Sequence, residues 1–285
     1  MEQKQLSISP QLEVDGSYKP SEQALAYATS DVTNYEKVDY TKYQGSKSKI
    51  LIIFTEQKNM TMQNGKMFST GNHPVEALLP MLHLKNAGFE FEIVTPTGRP
   101  VIFEMWAMPQ KDENVMGIYN HYKVQFENPG SLQNFVDNSI DKLTTSYGAV
   151  FIPGGHGAML GIPQNENVAK ILKSTHQNSI FTITICHGPG ALLSTTLDGG
   201  DFLYEGYKMT VFPDAMDKET PKFGYLPGEM PWRLGEKLTE LGVVITNAEM
   251  DDSCVKDREL ITGASPLAGN SLGKLATTTL LKELK

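Results

Sequence analysis

Ile183-Thr184-Ile185-Cys186-His187-Gly188-Pro189-Gly190 is a β-branched, apolar run that stops at a thiol and gives way to glycine and proline. β-Branched residues suit a pleated strand, and Gly-Pro-Gly breaks it, so a strand over 180–185 is predicted to turn at Cys186 into a helix-compatible stretch, Gly190-Ala191-Leu192-Leu193. A side chain on such a turn is held clear of the sheet, and the N–H groups beyond it can stabilise a thiolate or a developing oxyanion. Cys186 therefore reads as a nucleophile. The alternative is a structural cysteine within a strand, which the strand's stop at this residue argues against.

Outward from this turn the same grammar repeats. Ile50-Leu51-Ile52-Ile53-Phe54 is too continuously apolar for a half-exposed strand and suits a parallel strand covered on both faces. Residues 75–86 place Val75, Leu78, Leu79, Leu82 and His83 on one helical stripe that ends at Gly88, and the strand-like Phe89-Glu90-Phe91-Glu92-Ile93-Val94 follows. A further strand, Ala149-Val150-Phe151-Ile152, runs into Pro153-Gly154-Gly155-His156-Gly157 and then a helix over 167–175. The last third continues with a helix over 234–241, Val243-Val244-Ile245 and a terminal helix over 267–281. Strands alternating with helices imply a doubly wound, mostly parallel α/β sheet that binds ligands beyond the carboxyl ends of its strands. Residues 1–48 lack sustained periodicity and read as an irregular arm with a helical piece over 21–28, ahead of one α/β domain over 49–285. The long crossover over 103–146 reads as an inserted lobe.

Bulk properties narrow the classes. The 285 residues are 40% hydrophobic and 20% charged, with a formal net charge of -8, which argues against nucleic-acid and anionic-membrane partners that require clustered Lys and Arg. No apolar stretch approaches the roughly 18 to 20 residues needed to cross a bilayer, and Met1-Glu2-Gln3-Lys4-Gln5 lacks a signal-type apolar region. Two cysteines, Cys186 and Cys254, are too few for a disulfide framework, so reduced thiols and a cytoplasmic location are expected. Cys254 has no adjacent base and reads as a bystander.

The catalytic base is narrowed by elimination. His187 is the last histidine in the chain, which excludes a papain-like order and the glutamine-amidotransferase triad, both of which need a histidine far beyond the cysteine. The base is His187 or an upstream residue. Asp214 and Asp217 both qualify as the carboxylate that orients His187, and spacing alone does not choose between them. Glu76, after Gly71-Asn72-His73-Pro74, either enters the pocket, where a carboxyl beside a thiol would share its proton, or is a helix N-terminal acid favoured by the dipole. Gly154 and Gly155 offer unhindered N–H groups for an oxyanion hole.

Taken together, Ser69-Thr70-Gly71-Asn72-His73-Pro74-Val75-Glu76, residues 103–109, Pro153-Gly154-Gly155-His156-Gly157, Cys186-His187-Gly188-Pro189 and residues 262–274 resemble the HchA-type heat-shock chaperones and glyoxalase III, within the superfamily of the PfpI-like peptidases. The resemblance covers nearly everything from Lys49 onward. It implies a flavodoxin-like sandwich with a small second lobe, a homodimer, Cys186 as nucleophile, His187 as its histidine, Asp217 as the aspartate and Glu76 as the assisting acid. The implied reaction is glutathione-independent conversion of methylglyoxal, a small 2-oxoaldehyde, to lactate, with the oxyanion on the Gly155 and His187 N–H groups and no cofactor. Holding-chaperone activity toward unfolded proteins, alone or beside a vestigial enzyme, is also implied. A deglycase or Cys-dependent peptidase would share the nucleophile but need a wider entrance. Such proteins can carry a metal on two histidines and a glutamate. Here Glu90 matches, but Lys85 and Tyr122 stand at the histidine positions, with His83 and His121 nearby, so no equivalent metal site is expected.

Overall fold

The computed structural model describes residues 6–284; the stretch 1–5, expected to carry no signal sequence, lies outside the described residues. The core is a seven-stranded sheet of β1 (Lys49–Ile53), β2 (Glu90–Thr95), β3 (Gly130–Ser131), β4 (Tyr147–Ile152), β5 (Phe181–Ile185), β6 (Cys254–Asp257) and β7 (Leu260–Gly263). Its spatial order is β6-β7-β5-β4-β1-β2-β3. Every neighbouring pair is parallel except β6 with β7. The flavodoxin-like α/β architecture predicted from the sequence is the one observed.

The continuous apolar runs are explained by burial on both faces. Along β1, Ile50 and Ile52 face a cluster with Leu78, Leu84, Ile118 and Leu272, while Leu51 and Ile53 face another with Val168, Ile171, Leu192 and Leu234. Helices α1 (Pro74–Asn86), α2 (Glu113–Glu127) and α4 (Gly269–Glu283) cover the first face and α3 (Glu166–Gln177) the second. Because α1 is packed against both α2 and α4, it is buried nearly all round, and the expected single stripe is too narrow: Glu76, Pro80 and Met81 are enclosed as well. No helix among the described residues is long and apolar enough to cross a membrane.

Chain order reverses between β1 and β4, so the crevice beyond their carboxyl ends is where a doubly wound sheet binds ligands. The stretch after Cys186 is a 3₁₀-helix, Gly188–Thr196, and not the α-helix that its composition suggested. Pro189 near its start lacks an N–H, which leaves one donor fewer at this helix start.

The segment 6–48 is stapled along the domain. Gln11–Leu12 and Ser17–Lys19 join Met67–Ser69 and Asn59–Thr61 in a second, four-stranded sheet. Helix Glu22–Ala28 is capped by Ser21, whose Oγ accepts from Ala24 N at 3.0 Å. Beyond it, the Thr33 hydroxyl donates to Asp112, the Glu36 N–H donates to Asn270 Oδ1 at 3.1 Å, and Tyr43 N donates to Ala87 O at 2.8 Å. Segment 103–146 supplies α2 and the edge strand β3, and it sends Glu104 toward the crevice.

Candidate active site

Cys186 leaves β5 with φ of 61°, in the left-handed region where a side chain is strained by about 1–3 kcal/mol. Two hydrogen bonds hold it there: its N–H donates to Gly263 O at 2.9 Å, and its C=O accepts from Phe212 N at 3.0 Å. The bend lets sequence neighbours face the same cavity, placing Cys186 Sγ 3.3 Å from His187 Nδ1. His187 Nε2 lies 2.9 Å from Asp217 Oδ2, which completes a thiol, imidazole and carboxylate chain inside the protein.

Asp214, the other candidate, is engaged elsewhere. Its two oxygens accept from Gly235 N at 2.9 Å and Glu236 N at 2.8 Å, at the start of the helix Leu234–Glu240. Asp217 has a second partner that spacing did not reveal: His156 Nε2 lies 3.0 Å from its other oxygen. The His156 and His187 rings lie 4.1 Å apart, and His187 stacks on Phe212 at 4.8 Å. Burial alone would raise the Asp217 carboxyl, but the two imidazoles bring it well below the usual carboxylate range. A depressed carboxyl contributes stability that is present above its unfolded pKa of about 3.9 and is lost as pH falls toward the folded value. The stability lost in Asp217→Asn, measured by urea unfolding, is therefore expected to be largest at pH 6 and to shrink toward pH 3; a difference independent of pH would contradict the charged pairing.

Glu76 is fully buried in the first turn of α1. Neither of its oxygens has a well-aligned hydrogen bond, and the polar groups facing it are the Cys186 thiol and the Gly155 N–H. Burial raises the Glu76 carboxyl, and burial together with Glu76 raises the Cys186 thiol. Burial consequently disfavours negative charge on both members, and each is held in its protonated form. The dipole reading of Glu76 is incomplete: the first-turn position is correct, but the side chain points inward.

The glycines after β4 make this approach possible. A Cβ on Gly154 would lie 2.1 Å from Glu76 Oε2 and 2.8 Å from Cys186 Cβ, and Gly155 has φ of 90°. Gly154→Ala is expected to lower the urea midpoint by the equivalent of about 1–3 kcal/mol and to impair the Cys186–Glu76 pair; unchanged stability and thiol reactivity would rule out the tight approach. The Gly155 N–H faces both Cys186 and Glu76, while Gly154 contributes its carbonyl to His73 N at 3.0 Å.

A cavity of about 120 Å³ opens onto the thiol. From segment 103–146 it receives Glu104 alone; Tyr27 and Ala28 of the arm, residues between Phe212 and Tyr225, Met250, Pro266 and Leu267 supply the rest of its rim and walls. His73, Glu104, His156, Tyr225 and Tyr27 had not been assigned to the site from sequence. Their signal was positional: His73, Glu104 and His156 sit inside motifs that carry the family resemblance.

The residues at the expected metal position do not suit a divalent cation. Lys85 Nζ lies 3.1 Å from His121 Nε2 and 3.3 Å from the Tyr122 hydroxyl. His83 uses both ring nitrogens, on the Tyr40 hydroxyl at 2.8 Å and Asn270 Oδ1 at 2.9 Å. Among the described residues, the cluster with three metal-ligand atoms close together is His156, His187 and Asp217, and these atoms are joined by the hydrogen bonds above. Zinc titration of the wild type and Glu90→Ala is expected to give the same result; zinc binding lost with Glu90 would overturn this.

Comparison with known proteins agrees with the geometry. The chain is 45% identical over 279 residues to protein/nucleic acid deglycase 1 of Escherichia coli strain K12, covering 97% of both chains. The same identity and coverage hold for protein/nucleic acid deglycase HchA of Escherichia coli O157:H7. Two solved structures share the fold: glyoxalase III from Candida albicans, with a TM-score of 0.65, 21% identity and coverage of 82% of this chain and 98% of that one, and the Rapid Encystment Protein 24 kDa of Francisella tularensis, with a TM-score of 0.69, 21% identity and coverage of 82% and 99%. The family model described as the DJ-1/PfpI family matches residues 67–276, a span that contains Glu76, the Gly154-Gly155 turn, the Cys186 bend and Asp217, and the chain belongs to that family.

Proposed function

We propose that this protein is a glutathione-independent glyoxalase that converts methylglyoxal to lactate. The observation that carries the reading is a strained Cys186 flanked by His187 at 3.3 Å and a buried Glu76, inside a cavity of about 120 Å³. An engineered apolar cavity of about 150 Å³ holds a benzene molecule, so this volume suits a three-carbon substrate.

The resting thiol is held protonated by burial. As sulfur attacks the aldehyde carbon, the thiol proton passes to His187, whose imidazolium is stabilised by anionic Asp217. The aldehyde oxygen, resting on the Gly155 and His187 N–H groups, takes the Glu76 proton and completes a hemithioacetal. The Glu76 carboxylate then removes the C1 hydrogen. The enediolate's C2 oxygen takes the C1 hydroxyl proton, Glu76 returns its proton to C2, and a lactoyl thioester results. Water attacks the thioester, giving one proton to Glu76, while the departing sulfur recovers its proton from His187. The sum is methylglyoxal plus water to lactic acid, with all three side chains restored and no external oxidant or reductant.

The name protein/nucleic acid deglycase borne by the 45% identical relatives favours a second reading, in which the same thiol attacks glyoxal adducts on larger molecules. Adducts release free methylglyoxal spontaneously, so the two readings differ kinetically. On an arginine-borne methylglyoxal adduct, a glyoxalase is expected to reach a rate ceiling set by spontaneous release as enzyme is added. A rate that keeps rising with enzyme beyond that ceiling would replace the glyoxalase reading with the deglycase one.

A further inference from the structure

The attack and proton transfers described above use Cys186, Glu76 and His187. Beside Tyr27, His156 and Thr220, the cavity lining holds three further polar side chains that those steps do not use. Glu104 is 1% exposed; its Oε1 accepts from the Thr70 hydroxyl at 2.6 Å, the Gly71 and His156 N–H groups face the carboxyl, and its Oε2 makes no well-aligned hydrogen bond. His73 is 6% exposed, and its Nδ1 is likewise unpartnered. The half-buried Tyr225 lines the same cavity, and its ring lies 6.1 Å from that of His156. Buried polar atoms are seldom left unsatisfied, and those that line a cavity indicate the polar groups of its occupant. Phe212, Met216, Met250, Pro266 and Leu267 offer no such groups.

We infer that Glu104, with His73 and Tyr225, forms a subsite for the second oxygen of the substrate, the one on C2, and thereby selects 2-oxoaldehydes over simple aldehydes. This deepens the proposed function and rests on it. Glu104 acts as a hydrogen-bond donor: burial raises its carboxyl to about 7 against the influence of His156 and Thr70, so a large share is protonated at neutral pH. Burial also holds His73 down at about 3 and raises the Tyr225 hydroxyl, leaving both neutral. Three neutral groups that can donate suit an oxygen that is a carbonyl in the substrate and gains negative charge in the enediolate. An aldehyde without that oxygen would leave them unpaired, which is how a polar site rejects an analogue lacking the matching group.

The test compares methylglyoxal with propanal, which can form the hemithioacetal but lacks the C2 oxygen. For wild type, Glu104→Gln and Glu104→Leu, kcat and KM for methylglyoxal are measured together with the inhibition constant of propanal. Glu104→Leu is expected to lower kcat/KM about 100-fold while the propanal constant stays within about twofold, and Glu104→Gln, which keeps a donor, is expected to retain most of the activity. Parallel loss of both ligands, or methylglyoxal turnover within about threefold of wild type in Glu104→Leu, would overturn the subsite. Tyr225→Phe carries the same comparison if Glu104→Leu does not fold. Should the wild type not turn over methylglyoxal, the proposed function fails, and protection of Cys186 from iodoacetamide by methylglyoxal against propanal still decides the subsite: equal protection in wild type and variants sinks it.

Discussion

Cys186→Ala is expected to reduce glutathione-free methylglyoxal consumption to the uncatalysed background, a loss on the order of 10⁴-fold or more, because removing a nucleophile removes the covalent route itself. The fold should survive. Alanine retains the Cβ, the backbone bonds from Cys186 N to Gly263 O and from Phe212 N to Cys186 O are untouched, and only a sulfur leaves the cavity wall. The φ of 61° makes a companion variant informative. Cys186→Gly should be equally inactive yet more stable than Cys186→Ala by about 1 kcal/mol, since glycine relieves left-handed strain. If alanine were the more stable replacement, the bend would not be strained.

Glu76→Gln is expected to lower kcat by about 10²- to 10⁴-fold, the usual contribution of a positioned proton carrier. Glutamine fits the same buried space but cannot give a proton to the aldehyde oxygen, take one from C1 or return it to C2. Iodoacetamide alkylation of Cys186, which needs the thiol but no shuttle, should stay within about tenfold of wild type. Parallel loss of turnover and alkylation would mean that Glu76 acts only by setting the state of the thiol.

Much of this was legible in the chain because it rests on local patterns. Parallel strands covered on both faces are apolar almost throughout, which 50–53 and 149–152 are and 180–185 is apart from the buried Thr182 and Thr184, and a β-branched run ended by Cys-His-Gly-Pro-Gly leaves few conformations other than a sharp turn. The choice between Asp214 and Asp217 was not local. It depends on the helix at Leu234–Glu240, whose first N–H groups occupy Asp214 and leave Asp217 for His187 and His156. Glu76 was ambiguous for a related reason: a first-turn acid facing water and one pressed against a thiol have the same sequence, and the small size of Gly154 decides between them. Tyr27 carried no signal and Glu104 only its place within residues 103–109, since each reaches the cavity from a segment outside the regular strand and helix alternation. At the expected metal position the signal is a single substitution, Lys85 in place of a histidine, and its contacts with His121 and Tyr122 argue against a cation there.

At the centre of the proposed reaction is a cysteine that turns a 2-oxoaldehyde into a hydroxy acid without a free thiol cofactor. The most direct test is a glutathione-free incubation of the wild-type protein with methylglyoxal, with substrate and lactate quantified together by NMR and Cys186→Ala as the control. One lactate formed for each methylglyoxal consumed, at a rate proportional to enzyme and absent from the variant, is the expected result. Methylglyoxal lost without lactate, or lactate formed equally by Cys186→Ala, would contradict it.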